Sequence, residues 1–410
     1  PWGGTIGGTR VYAHVGADAR RRHRTVAPPP GHLAARIPLK PGFPCRALPN
    51  LKSSAAFPIP MIPLAYRLLL AISLFGPLAV PAAKAAKADW PAWRGPTADG
   101  HAAAGQNVPV KWSEAENVVW RAPIRGRGHS SPTIVGHRIY LSTATAEEQI
   151  VAAYDRATGK PVWETVVHRG KLDQGNHKNS SPAAATVACD GDRLYINFPN
   201  DKGVHTTALD TAGKILWQTR VSDFVMHQGF GSSPVVYQSV VLVSSDHRGG
   251  GKLTALDKLT GKVVWQQDRP KIPNYTSPAV LTAASRTQVV LGGCNLVASF
   301  DPLTGQKLWE VEASTEECVI TAVTDGRRVF VSGGYPKSNT TAIEADGSGR
   351  IAWQNGTRVY VPSMLVRSGH VFAVLDAGAA VCWKSDTGEE VWREKVDKDF
   401  GGLCIWARTT

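Results

Sequence analysis

The stretch ALDKLTGKVVW, ending at Trp265, is rewritten as AYDRATGKPVW ending at Trp163, SFDPLTGQKLW ending at Trp309 and CWKSDTGEEVW ending at Trp392. Two looser copies end at Trp217 (ALDTAGKILW) and Trp353 (AIEADGSGRIAW), one residue shorter and one longer. With Trp120 in NVVWRAPI, the tryptophans form a series with steps of 43, 54, 48, 44, 44 and 39 residues. A period of ~40–50 residues built from short strands marks propeller blades, units that bury their apolar faces only against one another.

The text between one Trp and the next keeps a fixed order. A Ser-Ser-Pro comes first (Ser130-Ser131-Pro132, Ser180-Ser181-Pro182, Ser232-Ser233-Pro234, with Thr276-Ser277-Pro278 as a variant), then an alternating run such as RIYLSTA or RVFVSG, then the motif. Alternation of β-branched and aromatic residues reads as half-buried strands. Asp-x-x-Thr-Gly is hairpin chemistry: Asp and Thr bond turn amides, and the glycine takes positive φ. Each unit therefore reads as four antiparallel strands, A to D, with the motif as the C–D hairpin. The expected fold is all-β, a propeller of four-stranded blades. Trp120, Trp163, Trp217, Trp265, Trp309, Trp353 and Trp392, with Gly159, Gly213, Gly261, Gly305, Gly349 and Gly388, are expected to dock neighbouring blades, because a flat indole can cover area that one blade cannot bury alone.

Six A-to-D units run from Ser130 to Trp392, and Trp120 stands on a lone D strand. The expected ring is seven-bladed, with eight as the alternative, and its last blade is truncated in this chain.

Composition matters once the chain is divided. From Met61 a basic Arg67, an apolar run from Leu68 to Val80 and small residues ending Ala86-Lys87-Ala88 read as a secretory signal peptide over 61–88, cut before Asp89. The apolar run falls short of the ~20 residues a membrane span needs, so no transmembrane anchor is expected in the mature chain, which is expected to be exported to the periplasm or beyond. Residues 1–60, with RRHR and PPP and no apolar period, are expected to be upstream, non-native or disordered sequence, leaving 89–410 as the propeller. Of the formal +13, residues 1–60 carry nine Lys/Arg against one Asp, and residues 61–88 carry three Lys/Arg and no acid. The remaining 34 basic and 32 acidic residues give +2, which excludes the clustered basic face of a nucleic-acid binder. Cys189, Cys294, Cys318, Cys382 and Cys404 are scattered singly with no CxxC, which argues against a disulfide scaffold, a zinc ribbon and an attached haem.

Ala-Leu-Asp-x-x-Thr-Gly-x-x-x-Trp resembles the repeat of the pyrroloquinoline quinone (PQQ) propeller superfamily, over roughly Asp89 to Lys398. That superfamily holds quinoprotein dehydrogenases and non-catalytic relatives such as the outer-membrane assembly lipoprotein of the Bam complex. The opening DWPAWRGPTADG resembles exported PQQ-like repeat proteins of planctomycete type. The resemblance implies either a binding propeller or an enzyme holding PQQ with Ca²⁺ at the channel mouth, between a Trp and a disulfide of adjacent cysteines. This chain has no adjacent cysteine pair, and no catalytic residue carries over.

In such a ring the D–A and B–C loops open on one face. They carry His129, His177, Lys178, His227, Tyr275, Glu317, Arg358 and Tyr360 before successive A strands, and Asp246 and Asp376 in B–C loops. This polar set is the expected site of ligand or partner binding. No loop has metal-ligand spacing, so no metal site is assigned. The expected function is an exported, non-catalytic binding or scaffolding module for a protein, peptide or cell-envelope partner. The alternative is a PQQ-dependent oxidoreductase acting on an alcohol or sugar, with Ca²⁺ as its metal.

Overall fold

The computed structural model describes Arg10–Ala13 and residues 89–396, except 104, 105, 107, 108, 110, 112, 173, 174, 176, 178 and 179. The signal-peptide segment and Cys404 lie outside the described residues. Of residues 1–60 only Arg10–Ala13 lies within them, as a strand.

Every complete repeat forms a four-stranded antiparallel sheet in simple A-B-C-D order. The six sheets are Thr133–Val135 to Pro161–Arg169 (blade I), Ala188–Cys189 to Ile215–Asp223 (II), Val235–Tyr237 to Val263–Asp268 (III), Ala279–Ala283 to Lys307–Val311 (IV), Val323–Thr324 to Ile351–Asn355 (V) and Leu365–Arg367 to Glu390–Lys395 (VI). The A strands touch in succession from blade I to blade VI, so they stand at the centre of a β-propeller and the D strands lie outermost. In blades I to V strands B and C are almost wholly buried, while D strands mix exposed and buried positions, as expected for sheets covered on both faces in the middle and wetted at the rim; strand D of blade VI is exposed throughout. Among the described residues there is no helix, hence none long and apolar enough to cross a membrane. Trp120–Pro123 is the expected lone D strand. It pairs antiparallel with Arg10–Ala13, a partner that the sequence reading of residues 1–60 does not anticipate.

The motif behaves as its chemistry requires. Asp257 Oδ1 accepts from Leu259 N (3.1 Å), Thr260 N (2.8 Å) and Thr260 Oγ1 (2.7 Å), and Asp155 repeats the pattern with Ala157 and Thr158. Gly261 then takes φ +72°, and its missing side chain lets the turn lie on the indole of Trp217 in the preceding blade. The indole N–H of Trp217 donates to Lys258 O at 3.1 Å. Trp120, Trp163, Trp265 and Trp353 likewise donate to carbonyls of the following turn.

Three members of the expected docking set depart from this rule. Gly349 does not lie on the ring of Trp309: a Cβ there would meet Glu310 O at 3.5 Å, Val311 Cβ at 3.7 Å and, of Trp309, Cβ at 3.9 Å. The extra residue in ADGSGR holds the turn off the ring, and Trp309 Nε1 donates instead to Gln288 Oε1 at 2.8 Å. Trp392 is 40% exposed, and no described residue supplies a turn over it.

Two further devices join the blades. Thr186 N donates to Ser233 Oγ and Ser233 N to Ser277 Oγ, both at 2.9 Å, so serines of Ser-Ser-Pro and its variant stitch one blade to the next. Residues 89–100 run across the inner strands. Trp90 pairs with Ile134 of blade I, and Pro91 O accepts from Cys189 N of blade II. Trp93 Nε1 donates to Thr321 Oγ1 at the start of blade V (2.8 Å), and the buried Arg94 donates to Met364 O at blade VI (2.7 Å).

Candidate functional site

The loops before the A strands of blades I to VI converge on one open cavity of about 550 Å³. The structure brings His129, His177, His227, Tyr275, Glu317 and Tyr360 together in its lining. Each stands four to eleven residues ahead of its A strand, so the repeat of the blades carries all six to the same face.

A hydrogen-bonded chain runs along one wall. Arg248 Nη2 lies 2.6 Å from His227 Nε2. A guanidinium can only donate, so Nε2 accepts and the remaining ring proton sits on Nδ1. That atom lies 3.0 Å from the Tyr275 hydroxyl and 3.5 Å from Glu317 Oε1. The Tyr360 hydroxyl donates to Glu317 Oε2 at 3.2 Å. Burial first, and then the Glu317 carboxylate, push both the Tyr275 and Tyr360 phenols well above their ordinary range. Both therefore stay protonated and able to donate.

The other expected site residues lie elsewhere. Asp246 is buried beneath the cavity, with Arg269 Nε 3.2 Å from Oδ1 and Asn274 Nδ2 2.9 Å from Oδ2. It is locked in a buried ion pair and is not part of the cavity lining. Asp376 caps a turn, accepting from Tyr360 N (2.9 Å) and Val361 N (3.2 Å). With Arg358 and Arg393 it lines a separate depression at blade VI, where the Arg358 guanidinium lies 5.0 Å from the Tyr360 ring centroid. Lys178 lies outside the described residues. Sequence reasoning does not single out Tyr335, which lines the cavity. Its carbonyl accepts from Glu317 N at 3.2 Å, and the available signal is an aromatic following Gly-Gly in a B–C loop.

A family comparison agrees with the repeat. The family model described as outer membrane protein assembly factor BamB matches residues 86–206 and 147–394.

The chain belongs to this BamB family of PQQ-like repeat propellers.

Outer membrane protein assembly factor BamB of Yersinia pestis is 26% identical over 283 residues, 65% of this chain and 66% of that protein. Its counterpart in Bordetella pertussis is 22% identical over 275 residues, 64% of each. The matched region thus spans slightly less than two thirds of these BamB relatives. The solved structure of BamB from Moraxella catarrhalis aligns with a TM-score of 0.46 at 16% identity, covering 65% of this chain and 72% of that one.

The quinone and Ca²⁺ held by other PQQ-type propellers do not fit the described residues at this mouth. Calcium takes 6–8 oxygen ligands, several of them carboxylate. Among the described residues Glu317 is the one carboxylate in the lining; its Oε2 accepts from Tyr360 and its Oε1 lies 3.5 Å from His227. Among the described residues no three His, Cys, Asp or Glu side chains converge. No Trp among the described residues lines the cavity, and the described cysteines are single, buried thiols.

Proposed function

We propose that this protein is an exported, non-catalytic propeller that holds a protein, peptide or cell-envelope partner at its loop face, in an outer-membrane assembly role like that named for its BamB relatives. The observation that carries this reading is the cavity itself. Loops of six successive blades build it, its walls are largely apolar and aromatic, and its polar groups bond one another. Such a surface presents shape and a few fixed hydrogen-bonding groups, which is how binding sites gain specificity. A nucleophile aligned on a general base, which acyl or glycosyl transfer requires, has no counterpart among these contacts.

Site-specific photo-crosslinking in the native envelope tests the reading. A crosslinker at Gln228, on the cavity lining, is expected to capture a discrete envelope component. One at Val162, exposed on the outer strand of blade I, is the comparison. Capture of that component from Val162 and not from Gln228 would overturn the proposal.

A further inference from the structure

Four carboxylates are buried among the described residues: Glu148, Asp246, Glu317 and Glu344. Three have guanidinium partners. Glu148 pairs with Arg125 and Arg169. Asp246 pairs with Arg269, and Glu344 with Arg327, Arg328 and Arg350. Glu317, only 5% exposed, has no Lys or Arg partner among the described residues. Its neighbours are the Tyr360 hydroxyl and the His227 imidazole, whose Nε2 is occupied by Arg248.

A carboxylate withdrawn from water is costly unless a cation compensates it. One hydrogen bond from the Tyr360 hydroxyl and an imidazole nitrogen 3.5 Å away compensate Glu317 in part. It differs from the other three in lining an open cavity, so a cation can reach it from outside. Around it stand Tyr275, Tyr335 and Tyr360, and phenol rings attract cations through their negative faces. Tyr360 already has one guanidinium 5.0 Å from its centroid, that of Arg358.

We infer that the cavity is a receptor for an organic cation, an alkylammonium or guanidinium group that completes the ion pair of Glu317 between tyrosine rings. The inference rests on reading this cavity as a binding site and names the chemistry of what enters it: the side chain of a lysine or arginine on a partner, or a free amine. Arg248 sits exposed at the mouth, bonded to His227, where its charge opposes entry.

The test is titration of the whole protein with three probes, followed by saturation-transfer NMR: a capped Gly-Lys-Gly peptide, its Nε-acetyl-lysine counterpart, and butylammonium. The lysine peptide is expected to bind and the acetylated peptide to bind at least about tenfold more weakly, as for loss of a charge-assisted contact. Butylammonium as tight as the peptide identifies a free-amine site, and a tighter peptide identifies a partner side chain. Glu317→Gln should lose at least about tenfold in affinity, whereas Arg248→Ala should gain several-fold, because the like charge is removed. These opposite signs separate the inference from general damage to the fold. Equal binding of both peptides, no binding up to roughly 10 mM, or unchanged affinity in Glu317→Gln would overturn it. So would binding that emerges only in Lys178→Ala, since the chain would then supply its own cation. Small-cation binding without any envelope crosslink from Gln228 would leave this inference standing and remove the partner reading; the reverse result would do the opposite.

Discussion

Gly159 lies flat against the indole of Trp120: a Cβ built on Gly159 would stand 2.3 Å from Trp120 Cε3. The same relation ties Gly213 to Trp163, Gly261 to Trp217, Gly305 to Trp265 and Gly388 to Trp353. Each contact joins two blades, so a single methyl there works against the interface as well as the turn. Gly261→Ala adds positive-φ strain of ~1–2 kcal/mol and overpacking of ~1–3 kcal/mol, for an expected loss of ~2–5 kcal/mol in urea unfolding. Gly191→Ala is the control, with φ +103° and open space around its Cβ. It should cost only the backbone share, ~1–2 kcal/mol.

The exception at blade IV makes a separate prediction. Gln288 Oε1 accepts from both Trp309 Nε1 (2.8 Å) and Ser299 Oγ (2.6 Å), and its Nε2 donates to Ala345 O at 3.2 Å. Gln288→Ala should leave the indole N–H buried without an acceptor and cost ~1–3 kcal/mol for that group. The tryptophan fluorescence should also change in the folded state. An unaltered unfolding midpoint would show that the blade IV–V seam does not need this glutamine.

Asp246 and Arg269 form a pair with side chains 1% and 2% exposed. Removing one partner strands the other charge, so Arg269→Met should lose ~3–5 kcal/mol. The double variant Asp246→Leu with Arg269→Met should recover most of the loss. A double variant as unstable as the single one would assign the cost to packing instead.

Acid should loosen the contact between blades I and II. Burial, and then the neighbouring His205, push the His168 imidazole down to about 4 from the ordinary 6.5. The unfolded chain therefore binds this proton more readily than the folded one. The contribution of neutral His168 is fully present above pH 6.5 and is lost as pH falls toward 4. His247 is shifted the same way by burial. The urea midpoint should fall over that window and fall less in His168→Phe, which retains an aromatic ring beside Phe198. Parallel pH profiles for the two proteins would contradict this assignment.

The blades were legible because their information is local and repeated. Asp, Thr and Gly at fixed offsets make the same turn each time, and the alternating runs leave little choice of strand. Gly349 shows where that reading fails, since one inserted residue moves a turn off its tryptophan and a glutamine from strand B takes over. The shared face of His129, His227, Tyr275, Glu317 and Tyr360 was equally legible, because equivalent loops of successive blades must open on the same side. Pairing within that face was not. Asp246 is held by Arg269, 23 residues away at the end of a D strand, and Asp376 by amides of the preceding loop. The role of residues 89–100 also depends on partners in blades I, II, V and VI, which no local pattern encodes.

If the loop-face cavity holds the partner, filling that cavity with Gly231→Trp should displace it. Gly231 lines the cavity, and a Cβ there would meet nothing closer than Tyr275 O at 4.0 Å. A side chain can thus leave Gly231 without a clash at Cβ, and an indole there would occupy the mouth. The decisive measurement is photo-crosslinking from Gln228 in wild type and in Gly231→Trp, at matched thermal stability. Loss of the envelope adduct in Gly231→Trp is the result expected. An adduct of undiminished yield with the cavity filled would contradict the claim and move the partner to another surface of the propeller.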